Sequence, residues 1–135
     1  MSLHIHRGLT YSPIFAGLIF FIITLLALRT SLLRKKLGIF AGDGGNEDLR
    51  RASRAHGTSV EHGVLLGVLL LVLDWQGAPP AAILALGLIA LLARLAHPAG
   101  MLLREEAISL PGVAATYLCE LSLSLWVIIN GFRAL

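Results

Sequence analysis

The sequence predicts an all-α integral membrane protein, a bundle of four transmembrane helices. Three observations predict it. Apolar residues make up 56% of the 135 positions and charged residues 14%, against about 45–50% and about 25% in a soluble globular chain. Four stretches reach the roughly 20 residues that a spanning helix needs. The connections between them are short, and most of the charge gathers at the ends of the stretches. The mean hydropathy of +0.81 excludes a disordered chain. A net charge of +3 on 11 basic residues leaves no basic face for nucleic acid. A single cysteine excludes a disulfide framework or a cysteine-rich metal site. The length is that of one domain, residues 1–135.

The first helix is expected over about residues 10–33. Gly8 to Leu28 runs for 21 residues without a charge. A cleaved signal peptide would place its basic residues before the apolar run. Here Arg29, Arg34, Lys35 and Lys36 follow it, so a retained first helix is expected. Residues 34–50 then form the one long loop, whose later part holds four glycines and three acids. Gly42-Asp43-Gly44-Gly45 lacks a following Gly-Lys-Ser/Thr, which argues against a phosphate loop. The second helix is expected over 51–75. It carries Arg54, Glu61 and His62 ahead of the apolar run Gly63–Leu73. Gly63 and Gly67 form a small-xxx-small pair that suits a close helix contact.

The third helix is expected over 79–103, because Pro79-Pro80 suits a first turn and no charge intervenes before Arg94. The fourth is expected over 107–133, with Pro111 near its start, where proline is tolerated. The side holding loops 34–50 and 104–106 carries Arg34, Lys35, Lys36, Arg50, Arg51 and Arg104, while the other carries Arg7 and Arg133. The positive-inside rule makes the first side cytoplasmic and puts both termini outside. Tyr11 and Trp75 fall near the outer interface, where amphipathic rings are favoured.

The few intramembrane charges lie at matching depth. At 1.5 Å per residue, Arg54 sits about 5 Å and Glu61 about 15 Å from the cytoplasmic end, His97 about 9 Å and Arg94 about 14 Å, and Tyr117 and Glu120 about 10–20 Å. Arg54, Thr58 and Glu61 stand at i, i+4, i+7 on one face, as do Tyr117, Glu120 and Ser124 at i, i+3, i+7. Three helices therefore bring polar groups to one cytosol-open layer, while the outer halves read as almost purely apolar. Charges at this depth are expensive, at least about 2.5–3.5 kcal/mol each, so they point to function. The competing reading is structural, with Glu61 or Glu120 paired to Arg94 to hold the bundle. Cys119 reads as an inert core thiol, having no basic neighbour in sequence. His4 and His6 read as a solvated terminus, and the five histidines show no metal-ligand spacing.

These residues also resemble a family. Arg51-Ala-Ser-Arg54-Ala-His56-Gly57-Thr58-Ser-Val-Glu61-His62 resembles the second-helix signature of the MAPEG proteins, the membrane-associated proteins in eicosanoid and glutathione metabolism. That signature reads roughly Arg-Ala/Ile-His-x-Asn-x-x-Glu-Tyr/Thr. Ala93-Arg94-Leu-Ala-His97 resembles the family's Gly-Arg-x-x-His step, and Phe40-Ala-Gly42-Asp43-Gly44-Gly45 is similar to its small bacterial branch. The resemblance spans all four helices. It implies a homotrimer in the inner membrane, with glutathione bound between neighbouring subunits in the cytoplasmic half of the bilayer. It also implies a glutathione transferase or peroxidase acting on apolar electrophiles or lipid hydroperoxides, with no metal.

Residue by residue, Arg54 and Glu61 match glutathione-contacting positions. Arg94, His97 and Tyr117 match ligand-lining positions, and Arg34 corresponds to a basic residue ending the first helix. Thr58 replaces an asparagine, His62 a tyrosine and Val64 a proline. The resemblance makes Arg94 the candidate for thiolate-side charge and Tyr117 the hydroxyl donor. Val113 stands where the eukaryotic synthases carry an arginine thought to stabilise the thiolate, so activation must come from elsewhere. That departure keeps a second reading open, a membrane scaffold or thiol-ligand binder without turnover. A small four-helix multidrug exporter is a third, disfavoured because residues 8–28 hold no acid.

Overall fold

A computed structural model describes residues 8–134. His4, His6 and Arg7 lie outside the described residues. The chain forms α1 (Ser12–Leu37), α2 (Glu47–Trp75), α3 (Pro80–Leu103) and α4 (Glu106–Arg133). Each helix is long and apolar enough to cross a membrane. The shortest has 24 residues, or about 36 Å at 1.5 Å per residue, more than the roughly 30 Å hydrocarbon core. The protein is thus a multi-pass membrane protein.

The helix ends depart from the expected ones for local reasons. α1 continues past residue 33 through Arg34, Lys35 and Lys36, because cations are favourable in a last turn where carbonyls stand unpaired. It stops at Gly38, whose φ of 67° is left-handed and open to glycine without a Cβ penalty. α2 starts at Glu47 rather than residue 51, since the Asn46 side chain accepts from the Leu49 N–H and Glu47 and Asp48 fill the first turn. The long loop shrinks accordingly to 38–46. α4 begins at Glu106, which places Pro111 beyond the first turn. It therefore removes one helical bond, to the Ala107 carbonyl, rather than sitting where no bond is missed.

α2 and α3 form the middle of the bundle. α1 packs on both from one side and α4 on both from the other, and α1 and α4 do not touch among the described residues. Glycines set the closest seams. Gly63 faces Ile19 and Ile23 of α1, and Gly67 faces Phe20 and Ala16, so the small-xxx-small pair serves as a helix contact. The Phe15 ring lies over Gly87 of α3. Gly100 of α3 meets the Ser109 backbone, and Gly112 of α4 meets the backbone of His97. The buried apolar core, including Phe15, Ile19, Leu66, Leu70, Ile83 and Leu123, fills the half remote from the basic loops. Many other large apolar side chains are exposed along all four helices.

That remote half, expected to be almost purely apolar, holds one buried acid. Asp74, at the end of α2, is buried. Its carboxylate accepts from the Thr10 N–H at 2.8 Å and the Thr10 hydroxyl at 3.0 Å. It also accepts from the Ser12 N–H at 3.3 Å and the Ser12 hydroxyl at 2.7 Å. The first turn of a helix has amide hydrogens with no helical acceptor. α1 takes that acceptor from α2 rather than from its own cap residue, so Asp74 fastens the two helices at this end.

Candidate functional site

The opposite half holds a cavity of about 320 Å³. α2 contributes Arg54, Thr58, Glu61 and His62, α3 contributes Arg94, His97 and Met101, and α4 contributes Val113, Thr116 and Tyr117. Seven of the eight residues singled out from sequence therefore converge. The shared helical face of Arg54, Thr58 and Glu61 produces this, and Arg94 and His97 meet it from the next helix. Arg34 is the exception. It donates to the Gly42 carbonyl and, at 3.3 Å, to the Ser53 hydroxyl. It lines a neighbouring cleft with Gly42, Asp43, Arg50, Ser53 and Arg54. Only Arg54 borders both spaces.

Arg94 is the most buried charged group, at 1% exposure. One terminal nitrogen donates to the Thr58 carbonyl at 3.4 Å and the other to the Thr116 hydroxyl. The Thr116 hydroxyl in turn donates to the Gly112 carbonyl at 2.7 Å. The Arg94 Nε is buried with no partner among the described residues. Pro98, one turn on, has no N–H, so the Arg94 carbonyl also lacks its helical donor. The guanidinium is thus held as part of the cavity wall, across all three helices. The Thr58 hydroxyl donates to the Arg54 carbonyl at 3.1 Å, which leaves its lone pairs for the cavity. His97 Nδ1 and the Ser109 hydroxyl are hydrogen-bonded at 2.9 Å.

Glu120 does not pair with Arg94, as the structural alternative supposed. Its carboxylate lies 2.8 Å from His62 Nδ1 at 8% exposure. The edge of one ring meets the face of the other between His62 and Tyr117, with centroids 5.2 Å apart and planes at 83°. Depth arithmetic puts Glu120 level with both partners, but only the rotational setting of α4 decides between them. Met101 and Thr116 are the lining residues that sequence reasoning passed over, and only Thr116 brings a polar group. Its position one turn before Glu120 and one residue before Tyr117 was the available clue. Glu61 and Arg54 are exposed at the cavity mouth, and Tyr117 is 52% exposed.

The cavity thus offers two guanidinium groups, a carboxylate, two imidazoles and a phenol within a helical membrane bundle. Guanidinium forks bind carboxylates in a bidentate way, and a carboxylate can take an ammonium. Such a site suits a small zwitterionic or anionic ligand, and its volume is that of a small-molecule pocket. Fold and site together define a polytopic membrane protein with a mixed-charge pocket in one half of its bundle. The chain belongs to the MAPEG family, whose sequence model matches residues 12–129, all four helices nearly to their ends. No curated protein matches the chain.

Proposed function

We propose that the protein is a glutathione-dependent transferase or peroxidase of the membrane. It adds the glutathione thiolate to apolar electrophiles or reduces lipid hydroperoxides that arrive laterally from the bilayer. One observation carries this reading, the convergence of Arg54, Thr58, Glu61, His62, Arg94, His97 and Tyr117 on one cavity. Glutathione has two carboxylates and one ammonium, and that lining offers Arg54 to a carboxylate and Glu61 to the ammonium. Positive charge near a thiol also favours its thiolate, which is the role assigned to Arg94. Tyr117 donates its hydroxyl to the electrophile or to the departing oxygen. Arg54, Glu61 and Tyr117 are open to the side of the bundle, and bare charge at this depth is costly. A second and third copy in a homotrimer would cover them and close the pocket. By the positive-inside rule the pocket half faces the cytoplasm, with both termini across the inner membrane.

The test is thermal unfolding of detergent-purified protein with glutathione and with its oxygen isostere, followed by turnover of chlorodinitrobenzene and of an alkyl hydroperoxide. Stabilisation by both ligands supports the site, and no shift with either refutes it. Arg94→Ala should abolish conjugation, and retained activity would remove that role. One feature favours a second reading, binding without turnover: Val113 presents an aliphatic side chain to the cavity where the resembled synthases carry an arginine. Calorimetric binding of glutathione with no product from either substrate would establish it.

A further inference from the structure

Val113 leaves open what takes the thiol proton. The described residues contain one side-chain pair built like an acid–base dyad, and it borders this cavity. His62 lines the cavity from α2, and its Nδ1 lies 2.8 Å from a Glu120 oxygen on α4. With Glu120 as a carboxylate, which only accepts, the pair requires the tautomer that carries its hydrogen on Nδ1 and keeps its lone pair on Nε2. Nε2 is on the ring edge away from Glu120, and no side chain or backbone group among the described residues hydrogen-bonds it. Glu120 is nearly inaccessible to solvent, so its charge is little screened at the ring. The Tyr117 ring stands at right angles to the imidazole and fixes its plane from a second direction. Arg94 and Thr116 are committed to each other, and His97 to Ser109. His62 is thus the cavity imidazole whose tautomer is set by a carboxylate.

We propose that His62 is the general base that ionises the bound thiol, with Glu120 as its positioning residue. This rests on the reading of the cavity as a thiol-ligand pocket. In the step, the S–H bond breaks and its proton passes to Nε2, giving an imidazolium that donates through Nδ1 to Glu120. The sulfur lone pair then forms an S–C bond to the β-carbon of an activated alkene, and the alkene π pair moves to the α-carbon. That carbanion takes the proton back from Nε2. Thiol and alkene become a thioether, the dyad returns to its starting state, and no other reactant is consumed. The proton shuttle thereby supplements the fixed charge of Arg94, which removes the need for a second arginine at position 113.

The test compares the wild type with His62→Gln and Glu120→Gln in detergent, both close to isosteric. It uses glutathione, S-methylglutathione and an electrophilic alkene. Three quantities are read: glutathione affinity by calorimetry, the ultraviolet absorption of bound thiolate, and kcat and KM for addition. General bases contribute about 10²–10⁴-fold. His62→Gln should therefore bind both peptides as the wild type does, lose the thiolate absorption, and drop in kcat by about 100-fold or more. Glu120→Gln keeps an acceptor for Nδ1–H but not the charge, so kcat should fall with KM unchanged, which a packing role alone would not produce. Wild-type thiolate absorption and kcat in His62→Gln would overturn the proposal, as would losses explained wholly by weaker glutathione binding. Should the wild type bind neither peptide, the pocket reading itself falls and takes the dyad with it. Binding by the wild type with unaltered variants overturns the dyad alone.

Discussion

Gly112→Ala tests how the pocket is held together. Gly112 lies against the backbone of His97, where α4 crosses α3. A Cβ added there would stand 2.7 Å from the His97 nitrogen and 3.1 Å from its Cα. Ordinary contact begins near 3.4 Å, so the two helices must part by about 0.7 Å. Both contacting atoms are backbone, and no side-chain rotation relieves them. Overpacking of this kind costs about 1–3 kcal/mol, against an intrinsic helical gain of about 0.8–1 kcal/mol for Gly→Ala. The net expectation is a destabilisation of up to about 2 kcal/mol. The displacement falls one turn before Thr116, whose hydroxyl holds Arg94 and rests on the Gly112 carbonyl. A misplacement of about 1 Å can cost about 10²-fold in a reaction that depends on alignment, so turnover should fall well beyond the loss of stability. Gly17→Ala is the control, since nothing lies within 4 Å of a Cβ there, and it should be neutral or stabilising. Thermal unfolding in detergent and glutathione conjugation are the assays. Equal behaviour of the two variants in both would refute the close α3–α4 seam as the support of the pocket.

Three further outcomes follow from features elsewhere in the bundle. Asp74→Ala removes the acceptor of four donors on Thr10 and Ser12; buried unpaired donors cost about 1–3 kcal/mol each. The two Ser12 bonds are the buried ones, so chemical denaturation should show a loss of at least about 2 kcal/mol, with glutathione affinity unchanged. Cys119 lies in the buried core, so maleimide should label it only on denaturation, and labelling of folded protein would contradict its placement. In a Cys119→Ala background, Asp43→Cys in the 38–46 loop should react with an impermeant thiol reagent from the cytoplasmic side only, and labelling from the other side would reverse the proposed orientation.

The architecture was legible because hydropathy and length decide membrane spanning almost alone, and the third and fourth helices fall within a residue or so of their expected ends. The pocket was legible because helical periodicity and rise place Arg54, Thr58 and Glu61 on one face, level with Arg94 and His97. Two kinds of information were not. Helix ends depend on local hydrogen bonds, and the acids and glycines before residue 51 hid the Asn46 cap among what resembles loop. Pairings between helices depend on the rotation of each helix about its axis, which depth cannot supply. That is why depth alone leaves Glu120 open to either Arg94 or His62. Arg34 entered through the family resemblance, and the structure places it in the neighbouring cleft. Asp74 was overlooked for a related reason. At the end of a helix it reads as a solvated residue, and only the return of Thr10 and Ser12 across its carboxylate reveals it as buried.

The Asp74 fastening also decides how the bundle can move. It lies 13 residues beyond Glu61 along α2, or about 20 Å from the pocket level. At the opposite end α1 and α2 are joined by the 38–46 loop and by the part-buried hydrogen bond from Arg34 to the Ser53 hydroxyl, contacts that open more readily than buried bonds to a carboxylate. Thermal breathing of α1 against α2 is therefore smallest beside Asp74 and larger around the basic loop. Amide exchange should accordingly be slowest beside Asp74 and grow faster toward residues 38–46, a gradient in stiffness set by one carboxylate far from the chemistry.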